Sequence, residues 1–356
     1  MSALFRRLWE ALCLCALFAG LSTDCRAGNV WLVTEKPPEL INPRIVDVSE
    51  IVPVRIAAFG ILCGGLITRV ELKTGEDSLI YMTGDEPLRY PLVVKGGRNV
   101  RIVGLQMELE TQPGCGIGQL PNTPVKDHPN SNIHPRVPGG IAIRLQAQTG
   151  VSFVEGLYVD VAGHEADCFV SRNPDDMDNA TARRQRDVII QNTYCAGIEG
   201  LGNSPVGGGI HGDLFQNQGQ DNLRRLVLEN VSCRTSQEGV VLLGGHGTAG
   251  AVEWAMRRYD YSWDPRFVGD DRYEQFGLAF DGEADRSVLV DVRIDDYRDG
   301  GDYGIINGQR YGNSPSPTVQ RHPQIRSGLP ADGPFAPPER TGFNYVSPHG
   351  SVPGRR

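Results

Sequence analysis

The segment Gly207-Gly-Gly-Ile-His-Gly-Asp-Leu-Phe-Gln sets His211 and Asp213 two residues apart behind three glycines, which let a backbone turn tightly and leave space beside it. Two further segments offer acids before a short apolar run: His164-Glu-Ala-Asp-Cys-Phe upstream, with Asp167, and Gln237-Glu-Gly-Val downstream, with Glu238. If the three runs are stacked strands, Asp167, Asp213 and Glu238 form a column. One step of such a column is about 5 Å and two steps about 10 Å, which brackets the carboxylate separations of retaining and inverting glycosidases. Carboxylates that close raise one another's pKa, the means by which one stays protonated and acts as an acid. His164 and His211 add a second acid or base, and the same oxygens could hold calcium. The plain alternative is that Asp and Gly here are turn residues that start strands.

Two other stretches carry candidate chemistry. Gly244-Gly-His-Gly-Thr-Ala-Gly presents His246 on a glycine turn. Trp254-Ala-Met-Arg-Arg-Tyr-Asp-Tyr-Ser-Trp interleaves aromatics with charges, the mixture needed to stack on sugar faces and bond their hydroxyls, so Trp254, Arg257, Tyr259 and Trp263, with Arg310 further on, are candidate substrate-binding residues. A loop that merely covers the fold would look similar. The metal spacing of a zinc site is absent, no cofactor is demanded, and calcium is the one cation the acids suggest.

The elements that must position these residues repeat one phrase, a turn residue followed by alternating apolar positions: Asn99-Val-Arg-Ile-Val-Gly-Leu, Gly150-Val-Ser-Phe-Val-Glu-Gly-Leu, Asp187-Val-Ile-Ile-Gln-Asn, Leu226-Val-Leu-Glu-Asn-Val and Ser287-Val-Leu-Val-Asp-Val. Aligning Val100, Val151, Val188, Leu226 and Val288 makes Ile102, Phe153, Ile190, Leu228 and Val290 the second inward position. The same register carries Asn192 onto Asn230 and Cys195 onto Cys233. Strands repeated in one register and one polarity predict a parallel stack, in which an asparagine ladder satisfies the backbone at a bend. Insertions are expected at 111–139, 172–186, 203–209 and 246–285, where function tends to sit. Five cysteines outside the leader leave an odd count, and stacked Cys195 and Cys233 point in parallel, which favours buried thiols over a bond.

The phrase Val93-Val-Lys-Gly-Gly-Arg-Asn-Val-Arg-Ile-Val-Gly-Leu and the segment from Asn222 to Gly245 resemble the pectate-lyase-like superfamily over roughly 90–310. The resemblance implies an all-β fold, a single-stranded right-handed parallel β-helix with long inserted loops. It implies business with a polysaccharide or cell-surface glycan: cleavage by a lyase or hydrolase at Asp213, His211, Asp167, Glu238, His164 and His246. The alternatives are a noncatalytic glycan-binding or surface protein and a polysaccharide epimerase or esterase, because one fold hosts many reactions. His246 resembles the Gly-His-Gly element of polygalacturonase-like hydrolases, but the Asn-Thr-Asp and Asp-Asp elements of that family read His211-Gly-Asp213 and Gln237-Glu238 here, which leaves the reaction open. Arg224, Arg225, Arg257, Arg258 and Arg310 match no lyase motif.

The expected organisation is a signal peptide over 1–27, a cap and first irregular coils over 28–90, the coiled body over 91–310, and an irregular Pro/Gly-rich tail over 311–356. Arg6-Arg7 precede an apolar stretch from Leu8 to Leu21, and Cys25-Arg-Ala offers small residues at a cleavage site, so the chain reads as secreted or periplasmic, of the kind a Gram-negative bacterium exports. That stretch, interrupted by Glu10, is too short to span a bilayer. The formal net charge of −8 argues against a nucleic-acid partner.

Overall fold

Runs of alternating and β-branched residues, broken every few positions by Gly, Asn or Asp, give the chain little choice but short strands, and their order decides how they pair. The computed structural model describes residues 34–57, 66–73, 75–110, 136–172, 186–199, 212–218, 223–235, 238–242, 251–263, 277–280, 284–294, 302–306, 309–312, 325–327, 338 and 340–353. Glu35–Arg356 forms one compact unit; of the other, Met1–Thr34, only Thr34 is described. Among the described residues the fold is all-β, with 21 strands and two short 3-10 turns, Val48–Glu50 and Gly342–Asn344, and no α-helix.

Most strands are parallel and fall into three ladders. The first joins Arg44–Asp47, Ser78–Tyr81, Val100–Val103, Val151–Glu155, the leading parts of Asp187–Glu199, Leu223–Thr235 and Ala251–Trp263, and Arg286–Val290. The second joins Gln106–Glu108, the start of Tyr158–Arg172, the trailing parts of the same three long strands, Val292–Ile294 and Ile325–Ser327. The third joins Leu66–Lys73, Leu92–Lys95, Arg136–Gln146, the end of Tyr158–Arg172, Asp213–Gln218, Glu238–Leu242, Leu278–Phe280 and Asp302–Ile306. From Asp187 to Ile306 the chain visits first, second and third ladder in turn. Each visit pairs with the one before it. Among the described residues antiparallel pairing is confined to Val54–Ala57 with Leu66–Lys73 and to Asp302–Ile306 with Gln309–Gly312.

The step from first to second ladder is one residue long. Gly104, Gly156, Asn192, Asn230, Arg258 and Asp291 all occupy it with positive φ, between 47° and 70°. This left-handed conformation suits Gly and is tolerated by Asn and Asp. The amide of Asn230 donates to Asn192 Oδ1 at 2.6 Å, Asn192 donates to the Tyr345 phenol oxygen at 3.3 Å, and Arg258 donates to Asn230. The expected asparagine ladder is therefore two residues long and is extended by an arginine and a tyrosine.

The core lies between the ladders, and Val154, Ile190, Leu228, Met256 and Leu289 succeed one another along the inner face of the first. This corrects the sequence alignment at two strands. Val188 pairs with Ser152, not Val151, so Phe153 points to the outer face, where it packs with Ile189, Val227 and Ala255. Val288 pairs with Ala255, so Leu289 faces inward and Val290 is 45% exposed. A slip of one residue exchanges the two faces of a strand.

Three further expectations are revised. The insertion placed at 246–285 contains a full strand, Ala251–Trp263, whose Trp254, Met256, Tyr259 and Tyr261 belong to the core. Cys168 and Cys195 form a disulfide, with Cα atoms 6.7 Å apart, while Cys233 is buried and lies outside that bond. Cys195 does stack on Cys233, but Cys168 approaches from the third ladder, so its side chain meets that of Cys195 across the core. The tail expected to be irregular supplies the parallel strand Ile325–Ser327, and beyond it Tyr345 and Val352 cover Leu79, Tyr81 and Val103 on the outer face of the first ladder.

Candidate functional site

Asp213 and Glu238 open consecutive strands of the third ladder and are direct register partners. Phe169 pairs with Phe215, which pairs with Val240, so Asp167 stands two residues before this row, in the position of Asp213. The backbone N–H of Asp213 donates to Asp167 Oδ1 at 3.2 Å. The three acids thus share one ladder position on three successive strands. Asp167 is 5% exposed and Asp213 is fully buried. Phe215 belongs to the core beside Phe169 and presents no outer face to a sugar ring.

Glycine makes room at this corner. A Cβ on Gly239 would overlap the Gly277 carbonyl and the Tyr259 phenol oxygen, and that phenol donates to the Gly277 carbonyl at 3.2 Å. Burial pushes the Tyr259 phenol well above the usual tyrosine range, and Cys233, Tyr261, Asp260 and Asp213 add to the effect. Asp260, one residue on, accepts from Arg234 Nη1 at 3.0 Å; burial raises its carboxyl against the opposing pull of that arginine. Tyr259 thus reaches the start of the third ladder at Gly277, while Asp260, of opposite parity on the same strand, turns to Arg234.

The connections into this ladder vary most in length: Asp167 lies within the continuous strand Tyr158–Arg172, Glu238 follows Thr235 after two residues, and Asp213 follows Glu199 after the long segment 200–212. The segments 111–135, 200–211 and 264–276, which precede Arg136–Gln146, Asp213–Gln218 and Leu278–Phe280, lie outside the described residues, and His211 is among them. His246 also lies outside the described residues. His164 is placed by its backbone opposite Ile198, on the second-ladder side of a register shift, and so outside the acidic column. Trp263 pairs with Thr235, and Arg310 with Ile305 in the antiparallel hairpin.

The aromatic binding segment is not a loop. Trp254 is buried against Phe280, ring centroids 4.5 Å apart, and Tyr259 is buried as described, so neither is available to stack on a sugar. Both fall on inward positions of a strand, where large side chains fill the core rather than face solvent. Arg257 keeps 25% of its side chain exposed and pairs with Glu35 at 3.4 Å and Glu229 at 3.7 Å.

Sequence reasoning missed a second polar constellation at the end of the first-ladder strands. Glu155, Gln191, Glu229 and Arg257 are register partners in succession. Glu155 is fully buried: Oε1 takes a bond of 2.8 Å from Arg101 Nε, and Oε2 takes bonds from the Tyr345 phenol at 2.8 Å and Ser347 Oγ at 3.0 Å. Burial first, then the Glu155 charge, drives the Tyr345 phenol far above its ordinary value, and burial lowers the His349 imidazole. The signal was present in part of the repeat: a polar residue stands immediately before four of the six bends, in Val-Glu-Gly, Ile-Gln-Asn, Leu-Glu-Asn and Met-Arg-Arg, while Val103 and Val290 precede the other two.

Among the described residues no group of three His, Cys, Asp or Glu side chains could hold a metal ion, and no helix is long and apolar enough to cross a membrane. Comparison with family models, with curated proteins and with solved structures found no match to this chain.

Proposed function

We propose that the three ladders are the faces of one right-handed parallel β-helix of the pectate-lyase-like kind, and that this protein is exported and cleaves a polysaccharide at the mouth of the third ladder. The observation that carries the reading is the single ladder position shared by Asp167, Asp213 and Glu238, with the long connection 200–212 rejoining the fold at Asp213, the middle one of the three. Parallel strands visited cyclically need crossovers, and these are right-handed in nearly all proteins. The Cys168–Cys195 disulfide fits an oxidising compartment such as the periplasm or the exterior.

Asp167 and Glu238 stand two steps apart, roughly 10 Å, near the wide end of the spacing that leaves room for a water between two carboxyl groups. In hydrolysis one protonates the leaving oxygen while the other activates that water; in elimination a base takes the proton beside a uronate carboxylate and a cation stabilises the developing charge. Asp213, buried between them, positions Asp167 through its backbone N–H. The full burial of Asp213 favours one other reading, a glycan-binding protein that does not cleave, in which the acids hold the strand starts.

The test is incubation of the protein with acidic and neutral polysaccharides, with and without calcium, following absorbance near ~235 nm, where a conjugated uronate absorbs, together with new reducing ends. Unsaturated product identifies a lyase, and reducing ends without that absorbance a hydrolase. Absence of both across the panel would sink the cleavage reading in favour of binding.

A further inference from the structure

Residue 35 is held on the outer face of the first ladder by every polar group it owns. Its N–H donates to Glu229 Oε2 at 3.2 Å, and its carbonyl accepts from Gln191 Nε2 at 3.1 Å. Its carboxylate meets Arg225 Nη2 at 3.2 Å and Arg257 Nη1 at 3.4 Å. These partners come from three successive strands, and Gln191 and Glu229 are fully buried and bonded to each other at 2.8 Å. Gln191 Oε1, also buried, accepts no hydrogen bond among the described residues. A preorganised set of this kind, whose orientation is fixed by the sheet beneath it, recognises more than a charge.

We infer that this trough is a binding site for a uronic-acid residue of an acidic polysaccharide, and that Glu35 occupies it as an intramolecular competitor. A uronate presents, within the span of one residue, a carboxylate for Arg225 and Arg257, a hydroxyl to donate to Glu229 and an oxygen to accept from Gln191. A second hydroxyl would satisfy Gln191 Oε1. By register the outer face carries Arg101, Arg225, Arg257 and Arg286 against Glu155, Asp187, Glu229 and Glu253, so its charges balance and the attraction for a carboxylate is local to Arg225 and Arg257. The site lies on a different ladder from the acidic column and so would grip a polymer rather than cut it. The choice of a sugar acid over an acidic peptide rests on the polysaccharide reading above.

The experiment is calorimetric titration of the whole protein with trigalacturonate, with a neutral galactose oligomer of equal length, and with a peptide of sequence Thr-Glu-Lys. Glu35→Ala releases Arg225 and Arg257 while its main chain still reaches Glu229 and Gln191, and it is expected to bind trigalacturonate about tenfold more tightly than the parent, the gain of a carboxylate on two guanidinium groups no longer held by residue 35. Adding Arg257→Gln should remove about tenfold or more of that affinity, through loss of a charge-assisted bond. The neutral oligomer should show neither change. Equal affinity of parent and Glu35→Ala for trigalacturonate, or binding of the peptide alone, would overturn the inference. Glu35→Gln likewise takes the competing charge off Arg225 and Arg257 with the main chain left in place, and it reads the same gain should Glu35→Ala fold poorly, which thermal melting reports. If the parent cleaves a polysaccharide but Glu35 variants gain nothing, this site fails and the cleavage reading stands. If the variants gain affinity while no protein cleaves, the converse holds.

Discussion

The bend from first to second ladder and the mouth of the third ladder are built on opposite plans. The bend recurs in six successive strands and is always left-handed, and the side chains of Asn192, Asn230 and Arg258 bond to one another along the stack. The mouth of the third ladder is reached by connections as short as 236–237 and as long as 111–135, yet it keeps an acid at one position on three strands. Constant length with variable side chains marks scaffold. Variable length with constant chemistry marks a site, because insertions are tolerated where they shape a surface and not where they set register.

The sharpest break of this contrast is chemical. Asp167→Asn and Glu238→Gln should each lower polysaccharide cleavage by about 10²- to 10⁴-fold, the range of a lost general acid or base, while the melting temperature stays close to that of the parent. Initial rates of reducing-end or unsaturated-product formation, beside a thermal melt, decide it. Equal loss of activity and fold would return these acids to the role of turn residues.

At the bend the effect should be structural only. Gly156 has φ of 70°, and a Cβ there would overlap the Tyr345 ring. Gly156→Ala therefore combines backbone strain with displacement of the tail and is expected to cost about 2–4 kcal/mol, measured by urea unfolding. Cleavage of the tail by a protease should quicken in step. A variant as stable as the parent would mean that the tail does not clasp the first ladder.

How much of this was legible in the sequence follows from the same contrast. Asn192 over Asn230 and Cys195 over Cys233 were readable because a one-residue bend forces identical spacing on both sides of it. The strand Ala251–Trp263 was hidden because Arg258 stands where Asn was expected, and because aromatics at inward positions look like a binding loop when their strand is not recognised. Phe153 and Val290 were assigned to the wrong face because the turn residues Gly150 and Ser287 were taken as equivalent to Asp187. In the structure Asp187 pairs with Val151, a single step that reverses parity. The acidic column was found by its chemistry, and the Glu155 and Glu229 constellation was missed for the opposite reason, since a polar residue before a bend looks like solvated surface until a tail or strap covers it.

A finer probe separates the two components of the bend. Asn230 supplies a left-handed backbone, φ 55°, and a side chain that bonds to Asn192 and accepts from Arg258. Asn230→Gly keeps the first and loses the second, whereas Asn230→Ala loses both. Asn230→Ala should cost about 2 kcal/mol and Asn230→Gly about 1 kcal/mol, the difference being the strain of placing a Cβ in that region. Equal values from denaturant midpoints would show that the side-chain ladder alone matters.

The smallest effect concerns the turns that launch first-ladder strands, where an arginine one rung on grips an aspartate: Arg98 on Asp77 at 2.7 Å and Arg224 on Asp187 at 2.5 Å. The Arg98 hydrogen bonds, helped by the N–H groups of Ile41 and Asn99, hold the Asp77 carboxyl down to about 2 against the burial that would raise it. A carboxyl whose folded pKa lies below its unfolded value stabilises the fold above the unfolded pKa and loses that contribution as pH falls through the folded one. The melting temperature should therefore fall between about pH 4 and pH 2 in the parent. In Asp77→Asn it should start lower and fall less over the same interval. Parallel curves for the two proteins would show that Asp77 ionisation does not couple to folding, and that the arginine grip is geometry without consequence for stability.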